Sequence, residues 1–259
     1  MIDWPEYIAA DSVQHESQFK VVWQTTQGAP LVRAMHGGIL ADRLSWVFIA
    51  GYQGAMRLAF NGIPDDQWWS FAVSEDRTGK LAGVELRDKT LHGTKTWVAA
   101  CDSVDGVFVT AANQCFRIPR GHEGVTFERY PSSSFLPDMS TGKVTLTNAD
   151  AGFVTNTAMD FRLAEPVALM AASLGYLWRE GRRLNASTIV DDAESIAARL
   201  AEIDKQDPAG IAPLYVEVAD LGKQCALHAA DRADVSQADW QQNGRLLSLY
   251  KKALMNAVG

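Results

Sequence analysis

Hydrophobic periodicity changes twice along this 259-residue chain, and those changes constrain its fold more than any single motif does. Up to about Asp66 the pattern is helical. Leu40, Leu44, Val47, Gly51, Gly54 and Leu58 recur at helix spacing, and the "GYQGA" run puts small residues on the same stripe. Such a stripe predicts a helix packed closely against another and ended by Gly62 and Pro64 in "NGIPDD". Upstream, "TTQGAP" and "MHGG" read as loops.

From about Gln67 to Arg162 the period shortens to that of strands. "WWSFAVSE", "GVELRDKTLHGTKTWVAAC", "DGVFVTAA", "QCFRIPR", "GVTFERY" and "GKVTLTNADAGFVT" are β-branched or aromatic runs punctuated by Gly, Asp and Asn. They predict antiparallel β structure closed as a barrel or a sandwich. Within "LHGTKTWVAA", Gly93 is expected to supply the turn of a hairpin. There is no alternation of strand and helix and no G-x-G-x-x-G run, which argues against a Rossmann domain.

Helical periodicity returns from about Ala164. "EPVALMAASLGYLW" is apolar almost all round and predicts a buried central helix, with Pro166 in its first turn and Gly175 at a close contact. Ile189, Ile196, Leu200 and Ile203 mark a second helix, with Thr188 as its N-cap. Leu214, Val218, Leu221, Cys225 and His228 mark a third, and Leu246, Tyr250 and Leu254 a fourth. Short links between them point to an antiparallel bundle. The expected class is α+β: N-terminal helices over 1–66, a β domain over 67–163 and a four-helix-type bundle over 164–259.

Composition narrows the function. A formal charge of −7 with no Lys/Arg-rich run disfavours nucleic acid as a partner. No apolar run approaches the about 18 residues of a membrane span, and the acidic N-terminus lacks a secretory signal, so a cytoplasmic location is expected. Cys101, Cys115 and Cys225 are widely spaced and read as reduced packing residues. The five histidines show no metal-ligand spacing, so no metal is expected, and no G-x-S-x-G elbow is present. His228, on an apolar stripe, reads as a core histidine. Asp65–Asp66 and Asp191–Asp192 read as solvated loop and helix N-terminal charges.

The order helices, β domain, helices, together with three segments, resembles the acyl-CoA dehydrogenase family, flavoproteins that desaturate acyl thioesters between the α and β carbons. The segments are "FAVSED" at 71–76, "LHGTKTWVAACDSVDGVFVTAA" at 91–112 and "EPVALMAASLG" at 165–175. The second resembles the family's Leu-x-Gly-x-Lys-x-aromatic run, with Ala99 where the family carries a hydroxyl residue. The resemblance implies an FAD cofactor, an acyl-CoA or related thioester as substrate, and a homo-oligomer. It gives Trp97 the place of the aromatic against the flavin ring and Ser74 that of a hydroxyl bonded to it. Glu165, ten positions before Gly175, takes the place of a catalytic base. Beside these stand simpler readings: a core aromatic for Trp97, a strand-edge hydroxyl for Ser74 and a first-turn helix acid for Glu165. The whole chain has a second reading too, as a non-catalytic relative that has lost flavin and binds an acyl carrier or a partner subunit.

Overall fold

The computed structural model describes residue 4 and residues 12–150, 152–154, 159–232, 234 and 236–258. The chain divides into two units, one built from 1–59 and 159–259 and the other from 60–158. Mixed α+β architecture follows, with helices in the first unit and two sheets in the second.

The helical unit contains α1 (Glu16–Trp23), α2 (Pro30–Leu40), α3 (Leu44–Ala59), α4 (Phe161–Arg183), α5 (Ser187–Glu202), α6 (Pro208–Asp231), α7 (Gln237–Asn243) and α8 (Lys251–Val258), with a 3-10 turn over Gly244–Ser248 between the last two. α4 is its axis, buried continuously from Pro166 to Gly181. Glycine sets how closely its neighbours approach. A Cβ on Gly38 would lie 1.9 Å from the Ala172 carbonyl oxygen, and one on Gly175 would lie 2.1 Å from that of Met35. On α3, a Cβ at Gly51 would meet the Leu169 backbone at 2.8 Å, and one at Gly54 would meet Ala34 at 2.7 Å. The predicted close packing of "GYQGA" and of Gly175 is thus present.

Four details depart from expectation. "MHGG" is not a loop: Gly37 and Gly38 lie inside α2, where contact with α4 offsets the low helix propensity of glycine. Pro166 is not in a first turn, because α4 begins five residues earlier, where the Asp160 carboxylate accepts the Arg162 amide at 2.9 Å. Thr188 is not an N-cap; α5 starts at Ser187 behind Ala186, with no side-chain cap. His228 is half-buried rather than core, and its ring nitrogen pairs with the Gln224 carbonyl at 3.0 Å.

The β unit holds two four-stranded sheets. The first runs β1 (Trp69–Ala72), β4 (Gly106–Ala111), β5 (Gln114–Pro119), β8 (Gly152–Val154). The second runs β2 (Glu85–Arg87), β3 (Thr90–Ala99), β7 (Thr141–Asp150), β6 (Val125–Arg129). Pairing is antiparallel except between β1 and β4, which lie parallel with Trp69 opposite Gly106. The absent side chain at Gly106 makes that register possible, since a Cβ there would touch the Trp69 ring at 2.5 Å. Phe60 stacks on Phe108 at 4.2 Å, and Trp69 tilts against the same ring at 5.2 Å.

A hairpin does contain "LHGTKTWVAA", but Gly93 is not its turn. The β2–β3 turn is Asp88–Lys89, both at positive φ, and Gly93 lies mid-strand. Its φ of +121° and the carbonyl of Gly83, 2.1 Å from where a Cβ would stand, explain why only glycine fits.

Candidate functional site

Ser74 and Trp97 are brought near one another in the β unit by a backbone contact to Ser74 from Thr96, the neighbour of Trp97. β3 pairs with β7 on one side, and on its other side the segment after β1 runs alongside: the Thr96 amide donates to the Ser74 carbonyl at 2.8 Å and the Thr94 amide to that of Ala82 at 2.9 Å. Lys95 pairs with Val144 and Val98 with Gly142, so β3 carries one extra residue between them, a β-bulge at Thr96 and Trp97. A bulge re-aims the side chains it carries. There the Trp97 indole is half-buried, and Ser74 is exposed.

Sequence reasoning missed what holds this edge in place. The Lys95 ammonium, almost fully buried, lies 2.5 Å from the Glu75 carboxylate. That hydrogen bond is the main reason the Glu75 carboxyl sits below its usual pKa, and the Val84 amide, 3.3 Å away, acts in the same direction. The next residue, Asp76, closes the following loop by accepting the amides of Thr78, Lys80 and Leu81, each at 2.9 Å. The alternation of Lys95 and Trp97 around a bulge was readable only as a motif, not as a geometry. At Ala99 the amide donates to the Ser70 hydroxyl at 3.1 Å and the methyl group is buried.

Glu165 belongs to the helical unit. As the fifth residue of α4 it lies beyond the first turn, so the reading of a helix N-terminal acid is corrected. The residue as a whole is half-buried, but its carboxyl group is the enclosed part, and burial pushes its pKa from 4.5 up to about 7. A hydrogen bond from the Tyr250 hydroxyl opposes that rise by favouring the carboxylate. Tyr250 is in turn held by Tyr215: the Tyr250 amide donates to the Tyr215 hydroxyl at 3.2 Å, and the two rings meet edge to face at 6.3 Å. Burial raises the pKa of both phenols, so they stay protonated donors at neutral pH. Tyr250 lay on a stripe that reads as core packing, and nothing in its spacing points to Glu165.

An apolar cavity of about 290 Å³ also opens in this unit, lined by Leu31, Val32, Met35, Leu58, Leu174 and Leu200 among others. It lies away from the chemistry: its α4 residues Ala171 and Leu174 face opposite Glu165 on the helix.

No known family profile matches the chain, and no curated protein does. Solved structures do match in fold. Apo-form PigA superposes with a TM-score of 0.67 at 13% identity, over 92% of this chain and 88% of that one. The FAD complex of PigA superposes with a TM-score of 0.63 at 12% identity, over 95% and 91%. FkbI, described for biosynthesis of a methoxymalonyl extender unit, gives 0.65 at 13% identity over 91% and 86%. Butyryl-CoA dehydrogenase from Megasphaera elsdenii gives 0.67 at 9% identity over 94% and 89%. The chain therefore shares the fold of these proteins along nearly their whole length.

Proposed function

We propose that the chain is an acyl-CoA dehydrogenase-like flavoprotein that removes hydrogen from the α and β carbons of an acyl thioester. The observation that carries this reading is Glu165, a carboxyl group enclosed on the central helix with a pKa near 7. An ordinary surface glutamate is too weak a base for an α proton, whereas one titrating near neutrality combines a large ionised fraction with greater proton affinity. Likeness in fold to proteins named for FAD and for butyryl-CoA supports the same reaction class.

The β unit fits a flat ring in part. A half-buried indole at Trp97 offers a stacking face, and the exposed Ser74 beside it offers a hydroxyl donor to a ring edge. FAD, when bound, supplies the hydride acceptor for the β carbon. The chain's own part is to stack and orient through Trp97, to donate a hydrogen bond through Ser74 and to take the α proton on the Glu165 carboxylate. Homo-oligomeric assembly belongs to the same proposal, as does a cytoplasmic setting.

Ala99 favours a second reading, a non-catalytic relative that binds an acyl carrier or a partner subunit. Its amide is already engaged by Ser70 and its methyl group is buried, so position 99 contributes nothing to a cofactor.

One experiment separates the two. Titration with FAD, followed by butyryl-CoA and a dye acceptor, is expected to give a bound yellow chromophore and turnover that rises with pH through about 7. Glu165→Gln is expected to keep the colour and lose about 10²–10⁴-fold in kcat. Failure to take up FAD, or a Glu165→Gln variant as fast as the parent, overturns the flavoenzyme reading.

A further inference from the structure

The cavity of about 290 Å³ in the helical unit is walled by four helices, with Met35 from α2, Leu58 from α3, Leu174 from α4 and Leu200 from α5. The space exists because α4 and α5 present alanines to it, Ala171, Ala197 and Ala201, where larger side chains would fill it. Its inner wall of Met35, Leu174 and Leu200 is buried, whereas Ala29 and Ala201 at its mouth are exposed. A recess of that shape admits a slender molecule but not a helix of another protein, which is about 10 Å across. Twelve residues line it, and eleven carry apolar side chains. Water is poorly held by such a wall, because each molecule needs two to four polar partners.

The twelfth residue, Lys205, decides what the cavity accepts. Its ammonium donates to the carbonyls of Ala201 at 2.7 Å and Ile203 at 3.0 Å, where α5 ends. It therefore closes the C-terminal end of that helix. The exposed carboxylates of Glu202 and Asp204 flank Ile203 in the sequence. An anionic head group would meet like charge there, beside a cation already engaged. At about 30 Å³ each, the share of one water in the liquid, the cavity holds on the order of ten non-hydrogen atoms.

We propose that this cavity is a binding site for an uncharged alkyl molecule of about that size. The chain lies along Met35, Leu58, Leu174 and Leu200, and its polar end stays in water at the mouth. Removing the chain from water drives binding, by about fourfold in affinity for each buried methylene. The site goes beyond the flavoenzyme reading and needs none of it, since Ala171 and Leu174 face away from Glu165 on α4.

The test uses the full chain without FAD and the linear primary alcohols from butanol to dodecanol, titrated by calorimetry at pH 7. Affinity is expected to rise about fourfold per added methylene and to stop rising near about ten carbons, where the cavity is full. Octanoate is expected to bind at least about tenfold more weakly than octanol. Ala197→Phe fills the cavity and is expected to abolish octanol binding, and Ala201→Trp, at the exposed mouth, replaces it if that variant does not fold. Lys205→Met is expected to leave octanol binding in place. No binding of octanol overturns the proposal, whether the mouth is covered by a second copy, as sedimentation would show, or the cavity is closed. Octanol binding that persists in the filled variants overturns it too, because the site then lies elsewhere. Octanoate as tight as octanol and weakened by Lys205→Met would make this a fatty-acid site and overturns the uncharged ligand. Alcohol binding without FAD uptake sinks only the flavoenzyme reading, and FAD uptake without alcohol binding sinks only this one.

Discussion

The ammonium of Lys95 sits 2.5 Å from the carboxylate of Glu75, the first with 3% of its side chain exposed and the second with 47%. The bond fastens the segment that carries Ser74 to the strand that carries Trp97, so an ion pair adds to the backbone hydrogen bonds that hold the edge proposed to receive a flavin. Removing the half-exposed partner leaves a buried charge without its counter-ion. Glu75→Ala is therefore expected to cost about 1–2 kcal/mol, below the range for fully enclosed pairs because water reaches the carboxylate. Lys95→Met, which removes the buried charge itself, is expected to be near neutral. The pH dependence follows from the lowered pKa of Glu75. The stabilisation is present above 4.5, the ordinary value, and is lost as pH falls through the lower folded value. Urea midpoints of the parent and Glu75→Gln should differ at pH 7 and converge in acid; midpoints equally far apart at pH 3 would contradict this account.

The helix crossings make the glycines unequal. Gly38→Ala drives a methyl group into the Ala172 backbone, and since a carbonyl cannot rotate aside, the loss is expected to reach about 3 kcal/mol. Gly210, on α6, has its nearest neighbour 3.5 Å away, so Gly210→Ala is expected to stabilise by about 0.5–1 kcal/mol through a less flexible unfolded chain. Thermal melts of the two variants should move in opposite directions.

Glu165 lowers stability at alkaline pH for the same reason that suits it to the proposed role of base. Its folded pKa of about 7 exceeds the ordinary 4.5, so between those values the native state holds more protons than the unfolded one. Stability from this group consequently falls as pH rises from 4.5 to about 7 and then levels off. Glu165→Gln should be more stable than the parent at pH 8, by on the order of 2–3 kcal/mol, and the gain should shrink towards pH 5. An equal gain at both pH values would mean that the carboxyl is not enclosed.

What the sequence made legible was whatever depends on near neighbours. The unbroken apolar run after Glu165 identifies the buried helix, because no amphipathic surface helix has that pattern. The small residues of "GYQGA" announce a close crossing for the same local reason. "MHGG" misled because consecutive glycines disfavour an isolated helix, and the partner that overrides this, α4, comes much later in the chain. Gly93 misled similarly: its positive φ is real, but it answers the nearby Gly83 carbonyl rather than a turn. The parallel β1–β4 pair could not be read from alternation, which is the same in either direction. Of the candidate site, Trp97 and Ser74 were reachable through resemblance. Tyr250 was not, because an aromatic at helix spacing looks the same whether it packs or holds a carboxylate.

The helical unit is interrupted in sequence by the whole β unit, residues 60–158. On a ribosome α2 and α3 therefore emerge long before α4, their common partner, and the notches at Gly38 and Gly51 wait empty while the intervening strands are made. Contacts so distant along the chain raise the contact order and slow the closing step. The β unit is continuous and can fold as it emerges, so assembly order is set from the middle of the chain outwards. The apolar faces of α2 and α3 are, during that interval, the surface of the nascent chain most in need of a chaperone.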